Sequence, residues 1–378
     1  MNVYFDNAAT TPIDEQVFEE MKPFMLEHYG NPSSTHSHGR KVRTAIERAR
    51  KKVAELLNAA PAEIFFTSGG TEADNTAIQC TVSKENIQHI VTSRIEHHAV
   101  LHTVQTLEKR GIKVTYVKLD DDGLIDYDHL EESIKNNPNT LVSLMHGNNE
   151  IGNLLDLEKA GSLCKEYGAY FHSDTVQTMA HYAHDMEKLH LDFAVGSAHK
   201  FHGPKGVGLL YINHNNKIHP FIHGGAQERN MRGGTENVYG IVGLAKAMEI
   251  SYSGMDNHRR HIESLKARMI EKLKGQVGGI SFNGVSDNFD KSLYTVLNVC
   301  FPVSDDNDML LFNLDIEGIS ASGGSACSSG SDIGSHVLAA LNKNKGSIRF
   351  SFSKYNTLEE VDYTVGKLSG LYQPQTTC

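Results

Sequence analysis

Apolar positions between residues 41 and 57 fall at Val42, Ala45, Ile46, Ala49, Val53 and Leu57, a spacing that gathers them on one helical face. Asn58 and Pro61 predict the end of that helix. A second helical period begins near Asp14. Between such stretches stand short strand-like runs, at 64–67, 89–92, 114–119, 141–145, 169–172, 193–195 and 207–212. Helical patterns, as at 157–167, alternate with several of them. Alternation of this kind predicts an α/β fold with a largely parallel sheet covered on both faces. In such sheets ligands collect beyond the carboxyl ends of the strands.

Further along, residues 245–251 and a Lys- and Arg-rich helix at 259–273 read as the bridge to a second domain. A strand at 294–301, a helix near 308–314, a loop at 320–335, a strand at 347–353 and a last helix follow. Thr357 and Glu360 form a T-x-x-E box at the start of that helix. At 378 residues the chain exceeds one comfortable core. The expected division is a large domain at 16–254 and a smaller α+β domain made of 1–15, an extended arm, and 255–378.

Candidate chemistry concentrates where the apolar runs end. The run 193–195 leads into Ser197, His199 and Lys200, then into glycines and a proline that forbid a regular element. A lysine held there is well placed for amine chemistry on a carbonyl carbon. The run 169–172 leads into Asp174 and Gln177. A strand-end aspartate ahead of a strand-end lysine is the pair that pyridoxal phosphate needs: an anion at the ring nitrogen and an amine at the aldehyde. After the run 64–67, Ser-Gly-Gly-Thr-Glu (68–72) opens a helix, and amides at a positive helix end make an anion cradle. Taken singly these features have ordinary readings too. Lys200 reads as a solvated loop lysine, Asp174 as a loop cap, Gly70 as part of a glycine turn, and Arg349 as half of a surface ion pair.

The motifs together are more specific. HSDTVQ (172–177), SAHKFHGPKG (197–206), DNAATTP (6–12), TSGGTEADN (67–75), EHHAV (96–100), NNEIG (148–152), RGGTENV (232–238) and SGGSACSSG (322–330) occur here. Their order resembles that of the NifS/IscS-type cysteine desulfurases, which are fold-type I pyridoxal-phosphate enzymes. The resemblance runs from Asp6 to about residue 370. It implies that Gly70, Thr71, Ser197 and His199 hold the cofactor phosphate, joined by Thr235 from the second subunit of a homodimer. It further implies Asp174 at the ring nitrogen, Gln177 and Asn149 at the phenolic oxygen, and Lys200 at the aldehyde. Asn149 also lies beside the substrate in such enzymes. His97 stacks on the ring and moves protons, which an imidazole can do near neutral pH. Arg349 grips the substrate carboxylate, a task suited to its planar fork.

Cys327 stands in a stretch too rich in glycine and serine to pack as a core strand or helix. A cysteine is more usually a small buried hydrophobe. The resemblance makes Cys327 the residue that takes sulfur from L-cysteine as a persulfide, leaving L-alanine, and passes it to an acceptor such as an iron–sulfur scaffold protein. No Lys, Arg or His lies within the loop to favour its thiolate. A selenocysteine lyase shares the fold and motifs. An ordinary aminotransferase has no use for the loop cysteine, and a non-catalytic sulfur relay has none for Lys200, Asp174 and His97.

Bulk properties narrow the rest. A formal charge of −10 and a pI near 6.1 argue against a nucleic-acid-binding surface. No apolar stretch approaches the roughly 18 residues of a membrane span, and the start has neither a basic nor an apolar leader region. Five scattered cysteines without CxxC spacing suit reduced thiols in a cytoplasm. His98 and His102 are four apart, but no third ligand is spaced to close a tetrahedron, and no metal site is expected.

Overall fold

The helix expected over 41–57 runs over Ser37–Leu56 and buries Val42, Ile46, Ala49 and Val53, while Asn58 takes a φ of 49° just beyond it. These features come from a computed structural model, which describes residues 1–302, 309–323, 334–343 and 346–372. Twelve strands are found among them: β1 (Val3–Tyr4), β2 (Ile64–Thr67), β3 (His89–Thr92), β4 (Lys113–Tyr116), β5 (Thr140–Ser143), β6 (Tyr170–Ser173), β7 (Phe193–Ser197), β8 (Gly208–Ile212), β9 (Ser281–Phe282), β10 (Val296–Cys300), β11 (Ile319–Ser320) and β12 (Ser347–Ser351). The main sheet has seven strands in the order β2-β8-β7-β6-β5-β3-β4. The pairs β3/β4, β3/β5, β5/β6 and β6/β7 are parallel. β8 runs antiparallel to both neighbours, β7 and β2.

Its first residue, Gly208, pairs with Thr67 and with Ser197 at once. A Cβ there would lie 2.6 Å from the Gly196 carbonyl oxygen and 2.8 Å from Gly69, so only glycine lets the ends of β2 and β7 come this close. Two small sheets complete the fold, an antiparallel β12-β10-β9 and a parallel β1-β11.

The helix at Leu157–Tyr167 has the expected bounds; Asp156 caps it by accepting from the Lys159 N–H, and Gly168 at φ 66° ends it. The T-x-x-E box closes reciprocally: Thr357 N–H donates to Glu360 Oε2 at 2.9 Å, and Glu360 N–H to Thr357 Oγ1 at 3.2 Å. One expectation needs correction. Residues 245–251 are not a bridge but the middle of the helix Val238–Ser253, whose Ile241, Leu244, Ala245, Ala247 and Met248 are buried in the core beneath the main sheet. Nearly uniform apolarity, which reads as ambiguous in sequence, here reflects burial on most sides. The chain turns at Gly254 into the helix Met255–Gln276. That helix packs Ile262, Leu265, Met269 and Leu273 into a separate core with Val3, Phe5, β10, β12 and the last helix, Leu358–Tyr372.

β2 is tied to the helix Ser37–Leu56 by a buried ion pair. Glu228 accepts from Arg50 Nη1 and Nη2 and from the Phe66 N–H, each at 2.8 Å, and both side chains are almost fully buried. Removing Glu228 leaves the buried guanidinium with only the half-exposed Glu47, 3.2 Å from Nε, as a carboxylate partner among the described residues, and costs about 3–5 kcal/mol. Denaturant unfolding of Glu228→Ala is expected to show that loss. A change below about 1 kcal/mol would mean that water already reaches the Arg50 guanidinium.

Candidate active site

Five of the motif residues converge because each follows the carboxyl end of a main-sheet strand. Thr71 lies just past β2, His97 past β3, Asn149 past β5, Asp174 directly after β6, and Lys200 just past β7. Together with Gly70, Gln177, Ser197, His199 and Arg349 they line one cavity of about 220 Å³. Arg349 reaches it from β12, on the smaller core's side. The amino-terminal arm forms another wall through Ala8 and Ala9.

That arm holds the lysine. Lys200 Nζ donates to the carbonyl oxygens of Ala8 at 2.6 Å and Ala9 at 2.9 Å. Gln177 Nε2 donates to the same Ala8 oxygen at 3.0 Å. Thr10 Oγ1 contacts His199 Nδ1 at 3.2 Å, and Thr11 Oγ1 donates to the His199 carbonyl at 2.9 Å. Backbone carbonyls thus hold the ammonium at the half-buried cavity wall.

Burial pushes the Asp174 carboxyl upward, while the Val176 N–H, 2.9 Å from Oδ1, and the Lys200 charge pull it back. Two further buried carboxyls stand nearby. Burial and the charges of Asp174 and Glu96 push Asp74 well above the carboxylate range. Glu96 is pushed up to about 8, chiefly by burial, despite the Ser93 hydroxyl and the Met145 N–H that it accepts. Burial thus favours the neutral form of Asp74 and Glu96, while the Lys200 charge favours the anion at Asp174. Asp74 lines the cavity, and its Oδ1, 3.3 Å from His172 Nε2, makes no hydrogen bond among the described residues.

His97 caps the helix His98–Lys109 by accepting from the Ala99 N–H at 3.1 Å. Burial, then the Lys200 charge, lowers its pKa to about 4, so its ring is neutral at pH 7. His199 is likewise lowered to about 4 by burial and Lys200. Arg349 is buried, with Nη1 on the Asn149 carbonyl at 2.8 Å and Nη2 on Asp6 at 2.6 Å. The surface ion pair that its sequence context allowed is an interior one.

Thr235 is exposed and does not line this chain's cavity; its neighbour Arg232 pairs with Glu72 at 3.0 Å, beside the glycine turn. Cys327 lies outside the described residues. Sequence reasoning did not single out Ala8, Ala9, Met145, Val176 and Asp74, which also line the cavity. Asp74 sits in a quoted motif and could have been flagged as a carboxylate one turn into the anion-cradle helix. Backbone carbonyls carry no such signal. Among the described residues no group of three or more His, Cys, Asp or Glu could hold a metal ion.

Residues 3–364 match the class-V aminotransferase family. A cysteine desulfurase IscS of Dictyoglomus turgidum is 44% identical over 381 residues, covering 99% of this chain and 95% of that protein. Among solved structures, a NifS-like protein aligns with a TM-score of 0.90 at 39% identity, over 98% of this chain and 99% of that one. SspA in complex with cysteine aligns at a TM-score of 0.81 and 35% identity, over 94% of this chain and all of that one. The chain belongs to the class-V aminotransferases, pyridoxal-phosphate-dependent enzymes of fold type I. Within that family it stands among the NifS/IscS-type cysteine desulfurases.

The residues present fit the cofactor. Gly70 and Thr71 open the helix Gly70–Lys84 at the cavity wall, where the first amides of a helix have no partner within it. A Cβ on Gly70 would lie 2.7 Å from Val176 Cγ2, so a side chain there would crowd that wall. An amine, a buried carboxyl and a neutral imidazole share the same space.

Proposed function

We propose that the protein removes sulfur from L-cysteine, releasing L-alanine and holding the sulfur as a persulfide on Cys327. The gathering of Lys200, Asp174, His97 and Arg349 in one cavity carries this reading. Alanine formation from L-cysteine by the purified, cofactor-loaded protein tests it, and selenocysteine added in competition separates a desulfurase from a selenocysteine lyase. Absence of alanine overturns the reading.

When bound, pyridoxal phosphate supplies the electron sink that makes the substrate's Cα proton removable and weakens its C–S bond. Gly70, Thr71, Ser197 and His199 would hold its phosphate, Asp174 its ring nitrogen, and Gln177 and Asn149 its phenolic oxygen. Arg349 receives the substrate carboxylate. Lys200, once its amine is free, takes the Cα proton. His97, neutral and half-buried, carries a proton to the departing three-carbon fragment. The Cys327 thiolate attacks the substrate sulfur: an S–S bond forms, the C–S bond breaks with its electron pair going to carbon, and that carbon gains the proton.

Both described ends of the segment bearing Cys327 are fastened to the cavity's walls, which supports its role. Ser322 exchanges backbone hydrogen bonds with Arg349, at 2.7 and 3.3 Å. Ser335 Oγ donates to Glu150, next to Asn149, and His336 Nε2 contacts the carbonyl of Glu96, next to His97.

The active enzyme is a homodimer in this reading, with Thr235 completing the phosphate site of the partner subunit. A hydrogen bond to a charged phosphate is worth about 1.5–3 kcal/mol. Thr235→Ala is therefore expected to weaken cofactor affinity roughly ten- to a hundredfold in equilibrium titration. Unchanged affinity removes Thr235 from the site. The two apolar cores support a division at about 254, with residues 1–15 joining the smaller unit. The persulfide is passed in the cytoplasm to an acceptor protein such as an iron–sulfur scaffold. Among the described residues no helix is long and apolar enough to cross a membrane.

A further inference from the structure

Arg349 does not face the cavity as a lone cation. Its guanidinium is 1% exposed, and Nη2 lies 2.6 Å from Asp6 Oδ1 while Nη1 donates to the Asn149 carbonyl at 2.8 Å. Its Nε is buried and makes no hydrogen bond among the described residues. Asp6 itself is not part of the cavity lining. Its place is fixed from elsewhere: its carbonyl accepts from the Ala9 and Thr10 N–H groups, and it bridges to Ser351 at the end of β12, two residues from Arg349. The carboxylate is thus held against the arginine from a separate stretch of chain. A carboxylate approaching Arg349 from the cavity meets a guanidinium that is already oriented and already paired with one negative charge.

We propose that Asp6 is the positioning residue for substrate recognition, holding the Arg349 fork in place and reducing its charge so that the substrate and product carboxylates are bound weakly enough to leave. This deepens the reading of Arg349 as the carboxylate receptor and rests on it. A fully charged arginine in a buried, low-dielectric site binds any carboxylate tightly, alanine as well as cysteine. Asp6 offsets that attraction. The amide of Asp6→Asn can still accept from Nη2, so this variant removes the charge and keeps the orientation. Asp6→Ala removes both.

The probe is propionate, which has the carboxylate but no amine to react at the cofactor site, with L-alanine as the product counterpart. In the cofactor-loaded dimer, Asp6→Asn is expected to tighten inhibition by both roughly tenfold, the order expected for one unit charge in a partly buried site. The KM for L-cysteine falls with them. Cofactor absorption stays as in the parent, whereas thermal unfolding falls, because the buried guanidinium loses its anion. Asp6→Ala loses the tightening, because the fork is no longer held, and Asp6→Glu restores parent values to within about threefold. Unchanged or weakened propionate inhibition in Asp6→Asn overturns the proposal, since a merely structural aspartate would leave it so. Arg349→Lys distinguishes the two levels. If it leaves propionate inhibition unchanged, Arg349 is not the carboxylate receptor and the underlying reading fails. If it weakens inhibition while Asp6→Asn has no effect, only the role of Asp6 fails.

Discussion

Replacing Lys200 by alanine is expected to abolish alanine formation, a fall on the order of 10⁴-fold or more, and to remove the visible absorption that the bound cofactor owes to its bond with the lysine. The size follows from two roles resting on one amine, as covalent anchor and as acceptor of the Cα proton. The fold should survive the change. Lys200 Nζ donates to the Ala8 and Ala9 carbonyls, and the Ala8 oxygen keeps its bond from Gln177. The arm is also held through Thr11 and the carbonyl of His199, and through Asn7, which donates to the Ser351 carbonyl and to Asn356. Thermal unfolding of the apo-variant near that of the apo-parent is therefore part of the expected result. Lys200→Arg separates charge from chemistry: it restores a cation opposite Asp174 but has no amine that can attack an aldehyde. If either variant forms alanine at a rate near the parent's, Lys200 is not the reacting amine.

The candidate site was legible because its residues follow a rule that sequence can carry. Thr71, His97, Asn149, Asp174 and Lys200 each sit just past an apolar run, and a parallel sheet brings the ends of such runs together. The direction of β8 was less visible, since the run at 207–212 looks like the others. The length of the preceding connection holds the missing signal: ten residues separate Ser197 from Gly208, too few for the crossover of about a dozen or more that a parallel neighbour needs. The contact between Asp6 and Arg349 spans 343 positions and joins the amino-terminal arm to β12. No local periodicity encodes such a pairing. The lysine's partners were hidden for another reason. They are main-chain carbonyls of Ala8 and Ala9, and every residue has one, so only the path of the arm makes them special. The helix Val238–Ser253 was misjudged because a segment buried on most sides loses the amphipathic stripe that marks a helix's partner face.

Cys327→Ser should divide the reaction at sulfur transfer. Capture of the substrate draws on Arg349 and Lys200, and the Cα proton on Lys200; none of these steps needs a thiol. The variant is therefore expected to bind cofactor like the parent and to show a spectral change on adding L-cysteine. Alanine release should nonetheless fall by roughly three orders of magnitude. A serine hydroxyl stays protonated at pH 7 and attacks sulfur poorly, whereas a thiol with a pKa near 8.5 is a few per cent thiolate even without help. The parent has a second signature. Exposed to L-cysteine without an acceptor, it should gain the mass of one sulfur atom on the peptide containing Cys327, and added thiol should remove it. Cys80 and Cys164 provide the internal control, because both are buried and burial pushes their thiols up, Cys80 to about 11, so neither is a competent acceptor. Sulfur appearing on those peptides instead, or near-parent alanine formation by Cys327→Ser, would show that the persulfide forms elsewhere and that the glycine-rich segment serves another purpose.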